Sequence, residues 1–250
     1  MISRGDTHLS TRGAKPSPIH LLGGGPGTRK SAYRPILKDI LRFPGKRDPL
    51  LAYLGAATDD DRGFAGYMKA LVTSAGPCTF RLAPVVGRGA KGTAARALIE
   101  AADLVFVGGG DVELGMRRLE DRGLTESLRE KHRSGAPFFG ISAGAILLGL
   151  RWIRWRDPED DGSAELFDCL GLAPILCDCH GEEDGWTELH ALLQLTGGSA
   201  LGHGIRSGAA LRVAADGTVE PLCGGVDRFQ VRGGNIVPLG PVSGPCGPLL

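Results

Sequence analysis

The chain has 250 residues, of which 29 are lysine or arginine and 28 are aspartate or glutamate, so its formal net charge is +1. This balance excludes the strongly basic surface on which nucleic-acid or anionic-membrane binding depends, so neither partner is expected. The hydrophobic content of 42% is ordinary for a globular protein with a sizeable core, and six cysteines are too few for a disulfide scaffold at this length.

Residues 1–17 are polar and charged, and we expect a disordered leader there rather than a secretory signal. No apolar run reaches the roughly 18 residues of a membrane span, so the expected location is the cytoplasm. The patterns that follow predict a single domain over residues 18–240 and an irregular tail over residues 241–250.

Short apolar runs that end in glycine or polar turns predict five β-strands. They occupy residues 19–25, 49–58, 79–86, 103–111 and 136–142. Helices are predicted where apolar residues recur at helical spacing, at residues 62–75, 93–102, 112–134 with a break near Gly123, and 143–150. Continuous apolar strands that alternate with helices are typical of a mostly parallel central sheet covered on both faces, a three-layer α/β sandwich.

After residue 150 the pattern is weaker. Residues 153–180 are rich in loop formers, and residues 188–197 predict a helix. Two small β hairpins are expected near the C-terminus, around Asp216-Gly217 and Gly233-Gly234.

The segment GISAG, residues 140–144, lies between a predicted strand and a predicted helix. A G-x-S-x-G turn in that context is the pattern of a nucleophile elbow, in which small residues allow a tight turn that exposes the serine hydroxyl. Ser142 is therefore a candidate nucleophile. The alternative is a purely structural turn in which Ser142 caps the helix.

The segment GGGD, residues 108–111, ends another predicted strand. Glycines let the backbone approach a reacting carbonyl closely, as a donor to an oxyanion must. The alternative is a simple strand-to-helix turn with Asp111 as the N-cap.

Together, GGGD, GISAGA and His180, which follows Ser142 by 38 residues, resemble peptidase family S51. This family includes dipeptidase E and cyanophycinase, and its fold is similar to that of the class I glutamine amidotransferases. The resemblance covers about residues 19–240. It implies a serine-type hydrolase of peptide or isopeptide bonds in short peptides, without a cofactor, and a homodimer at the level of the family.

The resemblance also implies roles for individual residues. Ser142 matches the nucleophile and His180 the histidine that takes its proton, while Gly110 and Ala143 match the backbone donors of the oxyanion hole. The substrate-binding candidates are Asp157, which matches an aspartate of dipeptidase E and would hold a substrate ammonium group, with Asp111 and Trp186. Asp157 also suits a turn before Pro158, and Trp186 also suits the core.

Two departures from the family are visible. Where it has a glutamate after the histidine, this chain has Ser207. Three outcomes follow: another acid takes the role, a Ser–His dyad works more slowly, or catalysis is lost and the pocket only binds peptide. The other acids are Glu182, Glu183, Asp184 and Asp216. In addition, residues 181–194 lack the arginines that suit an acidic substrate, so we expect a basic or neutral one.

Two further alternatives remain. An α/β-hydrolase esterase would order its triad as serine, acid, histidine, which Asp157 and His203 supply formally, although GGGD then has no role. Cys177, Cys179 and His180 form C-x-C-H, which is a poor zinc pattern without a second ligand pair, so no metal is expected.

Overall fold

The structure, a computed structural model, describes residues 16–25, 28, 30–87, 92–157 and 159–244. Its strands in chain order are β1 (Ile19–Leu22), β2 (Leu50–Leu54), β3 (Thr79–Ala83), β4 (Leu104–Val107), β5 (Phe138–Ile141), β6 (Arg151–Trp155), β7 (Ala164–Asp168), β8 (Leu176–Cys179), β9 (Leu201–Ile205), β10 (Ala210–Val213), β11 (Val219–Cys223), β12 (Gly225–Arg232), β13 (Asn235–Pro238) and β14 (Val242–Ser243). Its helices are α1 (Arg34–Arg42), α2 (Arg62–Thr73), α3 (Thr93–Ala101), α4 (Val112–Asp121), α5 (Thr125–Arg133), α6 (Ala143–Leu148) and α7 (Thr187–Thr196).

A seven-stranded sheet in the order β11-β10-β1-β5-β4-β2-β3 forms the centre of the molecule. The five strands from β1 to β3 in that order run parallel, and β10 and β11 extend the sheet antiparallel at one edge. Because parallel strands point the same way, the turns after β1, β4 and β5 meet at one edge. Those turns are the glycine-rich segments of the sequence.

Apolar side chains cover both faces of the central sheet. In β4, Val105 and Val107 pack into one core cluster, while Leu104 and Phe106 pack into the other. The second cluster also contains the buried faces of α1 and α2, and the first contains those of the remaining helices. This alternation confirms the predicted three-layer α/β arrangement.

Two smaller sheets follow. β6 and β7 form an antiparallel hairpin, and a second sheet has the order β13-β12-β9-β8, with β14 on β12. Within it β8 and β9 are parallel, and Cys179 lies opposite Ile205. This pairing brings the end of β8, and the residue after it, to the edge where β5 ends.

The structure confirms the predicted hairpins and differs from the sequence prediction in several elements. The segment expected to be loop-rich, residues 153–180, contains the end of β6 and all of β7 and β8, while α1 and β9 were not predicted. In the expected irregular tail, Val242–Ser243 pairs with β12. Most of the expected leader lies outside the described residues, but Ser17 is buried and its hydroxyl donates to Gly135 O at 2.5 Å. No described helix has the length and hydropathy of a bilayer span.

Candidate active site

The turn between β5 and α6 carries Ser142 in a backbone conformation that few non-glycine residues adopt. Its φ is 55° and its ψ is −127°, a conformation that costs about 1–3 kcal/mol and occurs mostly at functional sites. The neighbouring glycines make it feasible. A Cβ on Gly140 would lie 2.3 Å from Gly144 O, and one on Gly144 would lie 2.1 Å from Val107 O.

His180 follows β8 directly and also has a positive φ, 48°. Its N–H donates to Ile205 O at 2.9 Å, which continues the ladder between β8 and β9. From this position its Nε2 lies 2.8 Å from Ser142 Oγ. The structure therefore brings together the two residues that sequence analysis assigned to proton transfer and attack, although the chain separates them by 38 residues.

The glycine turn after β4 lies against the serine. A Cβ on Gly109 would be 3.2 Å from Ser142 Cβ. Gly110 has φ 136°, and a Cβ on it would lie 2.1 Å from Ala57 O. The next residue, Asp111, donates its N–H to the same Ala57 O at 2.8 Å and caps α4 by accepting the N–H of Leu114 at 2.7 Å. No backbone acceptor among the described residues uses the N–H of Gly110. The N–H of Ala143, at the first position of α6, has no partner within its helix.

Two cavities of unlike chemistry meet at Ser142. The acidic cavity, about 470 Å³, shares Gly110, Ala143 and His180 with the site and is lined by these charged side chains: Asp111, Glu113, Arg154, Asp178 and Glu188. The apolar cavity, about 350 Å³, touches Gly109, Gly110 and Ser142 and is lined by these larger side chains: Tyr33, Phe64, Tyr67, Met68, Leu71 and Ile141. A substrate bound at Ser142 would therefore contact both.

Comparison with known proteins gives the family of the chain. Residues 19–220 match the family model described as Peptidase family S51. The chain belongs to peptidase family S51.

Curated relatives of this S51 chain carry the name Peptidase E. The protein from Haemophilus influenzae is 39% identical over 59 residues, which are 24% of this chain and 27% of that protein. The protein from Salmonella gallinarum is 32% identical over 145 residues, which are 58% of this chain and 57% of that protein. In both alignments the S51 chain spans less than two thirds of the relative's length.

Solved structures share its fold. A peptidase from an acI-B1 Actinobacterium superposes with a TM-score of 0.69 at 19% identity, covering 93% of the S51 chain and 96% of the other. A putative Peptidase E protein from Listeria monocytogenes gives a TM-score of 0.57 at 14% identity, covering 82% and 98%. At these identities the likeness is one of fold.

The acidic cavity of this S51 protein contains a buried carboxylate that sequence analysis did not single out. Asp178, on β8, is only 4% exposed. Burial raises its pKa to about 7, and the nearby carboxylates of Glu188 and Asp184 act in the same direction. Backbone N–H groups of Cys179 and Leu189 partly oppose that shift. Arg154 is shared between two carboxylates, because its guanidinium lies 2.6 Å from Glu165 on the neighbouring strand and 4.0 Å from Glu113 of the cavity.

Two substrate-binding candidates lie away from the pair. Asp157 lies in the exposed turn between β6 and β7, where its carboxylate accepts the N–H of Glu159 at 3.0 Å, and it lines neither cavity. Trp186 is buried, and its indole N–H donates to Asp227 at 3.0 Å while its ring covers Gly204. The structure thus places Asp157 in a surface turn and Trp186 in the core, which are the structural alternatives that the sequence left open.

Glu182 lies next to Ser207, the position at which the family has its glutamate. At the Ser207 position the backbone N–H donates to Glu182 Oε1 at 2.9 Å, and Glu182 Oε2 is buried without a described partner. Asp184 instead caps α7, and Asp216 caps the turn between β10 and β11. Glu183 is exposed. Among the described residues, no carboxylate accepts a hydrogen bond from His180.

The esterase triad and the zinc site were the two remaining alternatives. His203 is buried on β9 and lines a separate cavity, so the pair that an esterase triad needs is not formed. No group of three metal-binding side chains occurs in the part of the chain that the structure describes. Cys177 and Cys179 lie in the core, where burial raises the pKa of both thiols.

Proposed function

We propose that the protein hydrolyses peptide or isopeptide bonds in short peptides through an acyl-enzyme on Ser142. The observation that carries this proposal is the 2.8 Å contact between Ser142 Oγ and His180 Nε2 at the mouth of two cavities. Both residues hold positive φ angles, which is consistent with a site shaped for chemistry. Membership of a peptidase family supports the class of reaction.

The proposed steps use groups of this chain alone. His180 Nε2 takes the proton of Ser142 as Oγ forms a bond to the scissile carbonyl carbon, and the carbonyl oxygen becomes an oxyanion. The N–H groups of Gly110 and Ala143 donate to that oxygen. The C–N bond then breaks, and the imidazolium gives its proton to the leaving amine. Water that His180 deprotonates attacks the ester, releasing the acid and restoring Ser142.

We assign the electrostatic support of the imidazolium to Glu182. Glu182 follows His180 by two residues. One oxygen of its carboxylate accepts the backbone N–H of Ser207, and the other is buried without a described hydrogen-bond partner. A buried carboxylate oxygen of this kind is stabilised when a positive charge forms nearby. Arg206 already interacts electrostatically with Glu182, and the proton cycle at His180 would add a second positive charge.

The acidic cavity sets the charge of the substrate. Among the described lining residues, four are acidic and one is an arginine, Arg154, whose guanidinium is shared between Glu113 of the cavity and Glu165 outside it. An anionic group placed there would be repelled, whereas an ammonium or guanidinium would be attracted. We therefore propose neutral or cationic peptides as substrates, rather than peptides with an acidic residue on that side.

One observation favours a second function, peptide binding without hydrolysis. The usual orienting carboxylate is absent at Ser207, and no described acid is hydrogen-bonded to His180. In that case the cleft would recognise the same neutral or cationic peptides and release them unchanged.

A comparison of wild type with Ser142→Ala separates the two functions. For a hydrolase we expect stoichiometric labelling of wild type by a fluorophosphonate and turnover of some members of a neutral and basic dipeptide panel. Ser142→Ala should show no labelling and a kcat lower by about 10⁴-fold or more. Ser134→Ala, an exposed serine, is the matched control. Equal turnover by wild type and Ser142→Ala would rule out the acyl-enzyme, and peptide binding without labelling would favour the second function.

A further inference from the structure

The apolar cavity is assembled from separate parts of the chain and not from one loose loop. Gly24 and Gly25, after β1, form one side, and α2 contributes Phe64, Met68 and Leu71. Met68 and Leu71 are also part of the packed core between α2 and the central sheet. The part of the wall that Met68 and Leu71 form is therefore positioned by the packed core.

The polar groups at the edge of the apolar cavity are engaged in holding its glycine turn. The hydroxyl of Tyr33 accepts the N–H of Gly24 at 2.8 Å, and the hydroxyl of Thr28 donates to Gly24 O at 2.5 Å. Burial raises the pKa of Tyr33 above its ordinary value, so its hydroxyl stays neutral. No charged side chain is found among the described residues that line this cavity.

A charged group would be poorly solvated in such a cavity. It would lose its hydration without gaining a partner of opposite charge, which is unfavourable. An aliphatic or aromatic side chain would instead be stabilised in proportion to the apolar surface that it buries. A volume of about 350 Å³ lies at the lower end of the range for small-ligand pockets and leaves room for a large side chain.

The position of the cavity connects it to the reacting bond. It opens onto Ser142 and Gly110, which we assign to attack and to oxyanion binding, and these residues also border the acidic cavity. A peptide with its scissile carbonyl at Ser142 therefore extends into one cavity on each side. The two residues that flank the scissile bond meet walls of opposite chemistry.

We propose that the apolar cavity is a specificity pocket for a bulky uncharged side chain, aliphatic or aromatic, next to the scissile bond. The proposal rests on the proposed function, since it names the substrate class of the same site. The substrate then combines one bulky apolar residue with one neutral or cationic residue.

The test is a matched panel of dipeptides with Ala, Leu, Phe, Asp or Lys at each position in turn. At one of the two positions we expect kcat/KM for Leu or Phe to exceed that for Ala by about tenfold or more, with Asp lowest. The Leu/Ala ratio should fall about tenfold in Phe64→Ala and in Met68→Ala, and Phe64→Arg should favour Asp over Leu. Phe43→Ala, which removes an exposed aromatic ring elsewhere, should leave the ratio unchanged.

A binding measurement separates this proposal from the proposed function. Calorimetry on Ser142→Ala should give the same preference for Leu and Phe in Kd, even if wild type hydrolyses no peptide. Absent hydrolysis with preserved preference counts against the proposed function alone. A Leu/Ala ratio near one at both positions, in turnover and in binding, would overturn the pocket, as would ratios insensitive to Phe64 and Met68.

Discussion

The turn that carries Ser142 and the turn that carries His180 both hold a non-glycine residue at positive φ, but the two turns are supported differently. Ser142 is flanked within its own segment by Gly140 and Gly144, and the strand before it, FFGI, is wholly apolar. His180 follows the strand LCDC, which contains the buried carboxylate Asp178. Its loop is held by distant parts of the chain, among them Asp227.

The Ser142 turn is supported by residues close in the sequence, and the His180 turn by residues far away in the sequence. The Ser142 turn depends on the absence of two Cβ atoms, which a short sequence motif encodes directly. The His180 turn depends on polar contacts: Glu182 on the backbone of Ser207, and Asp227 between Trp186 and Arg206, whose guanidinium lies 2.7 Å from it. We therefore expect substitutions in the first turn to act through sterics, and substitutions in the second to act through charge and pH.

The largest effect should follow from Gly144→Ala. The new Cβ would lie 2.1 Å from Val107 O and 2.6 Å from Gly108 O, both backbone atoms of the neighbouring strand end. Neither can move without disturbing the central sheet, so we expect a loss of about 4 kcal/mol or more in the free energy of unfolding. Thermal denaturation and fluorophosphonate labelling of Ser142 measure the two consequences.

Gly66→Ala is the matched control for that substitution. Gly66 lies in the exposed face of α2, and nothing lies within 4 Å of its added Cβ. The usual helix propensity should therefore apply, and Gly66→Ala should stabilise the protein by about 0.5–1 kcal/mol. If Gly144→Ala behaved like Gly66→Ala in both measurements, the steric account of the Ser142 turn would be wrong.

The same contrast explains how much the sequence could predict. The central sheet and the Ser142 turn were predicted because apolar runs and glycines signal them locally. The strands β6 and β7 were missed because their sequences, RWIRW and AELFD, are neither continuous apolar runs nor strictly alternating, and their charged residues, such as Arg154 and Glu165, pair across the hairpin. His180 was found only through the family resemblance. No local pattern signals that Trp186 will donate to a carboxylate 41 residues further along.

A smaller effect, and one of opposite sign, is expected for Asp178→Asn in the strand before His180. The pKa of Asp178 rises from its ordinary value of 3.8 to about 7 in the folded protein. The folded state therefore binds this proton more tightly than the unfolded chain does. The contribution of this proton to the free energy of unfolding is complete below about pH 4 and is lost as the pH rises to about 7. Asn carries no charge, so Asp178→Asn should stabilise the protein by about 2–4 kcal/mol at pH 8.

Unfolding by urea at pH 4 and pH 8 checks this prediction. The gain from Asp178→Asn should be small at pH 4, where Asp178 is already neutral in the folded protein. Asp121→Asn, which removes an exposed carboxylate on α4, should show no comparable gain at pH 8. A pH-independent difference between wild type and Asp178→Asn would contradict a raised pKa.

The smallest effect concerns the acid that we assign to His180. Glu182→Gln keeps an oxygen that can accept the N–H of Ser207 and removes only the charge. If that charge stabilises the imidazolium, kcat should fall about tenfold, equivalent to about 1.4 kcal/mol, with little change in KM or in the unfolding temperature. Glu183→Gln, the exposed neighbour, controls for the general loss of one negative charge.

Steady-state kinetics on a neutral dipeptide measures the change in kcat, because such a substrate does not itself respond to the charge of the cavity. Equal kcat values for the two variants would mean that His180 works without an acid, as a dyad with Ser142, and that the contacts of Glu182 serve only to hold the turn.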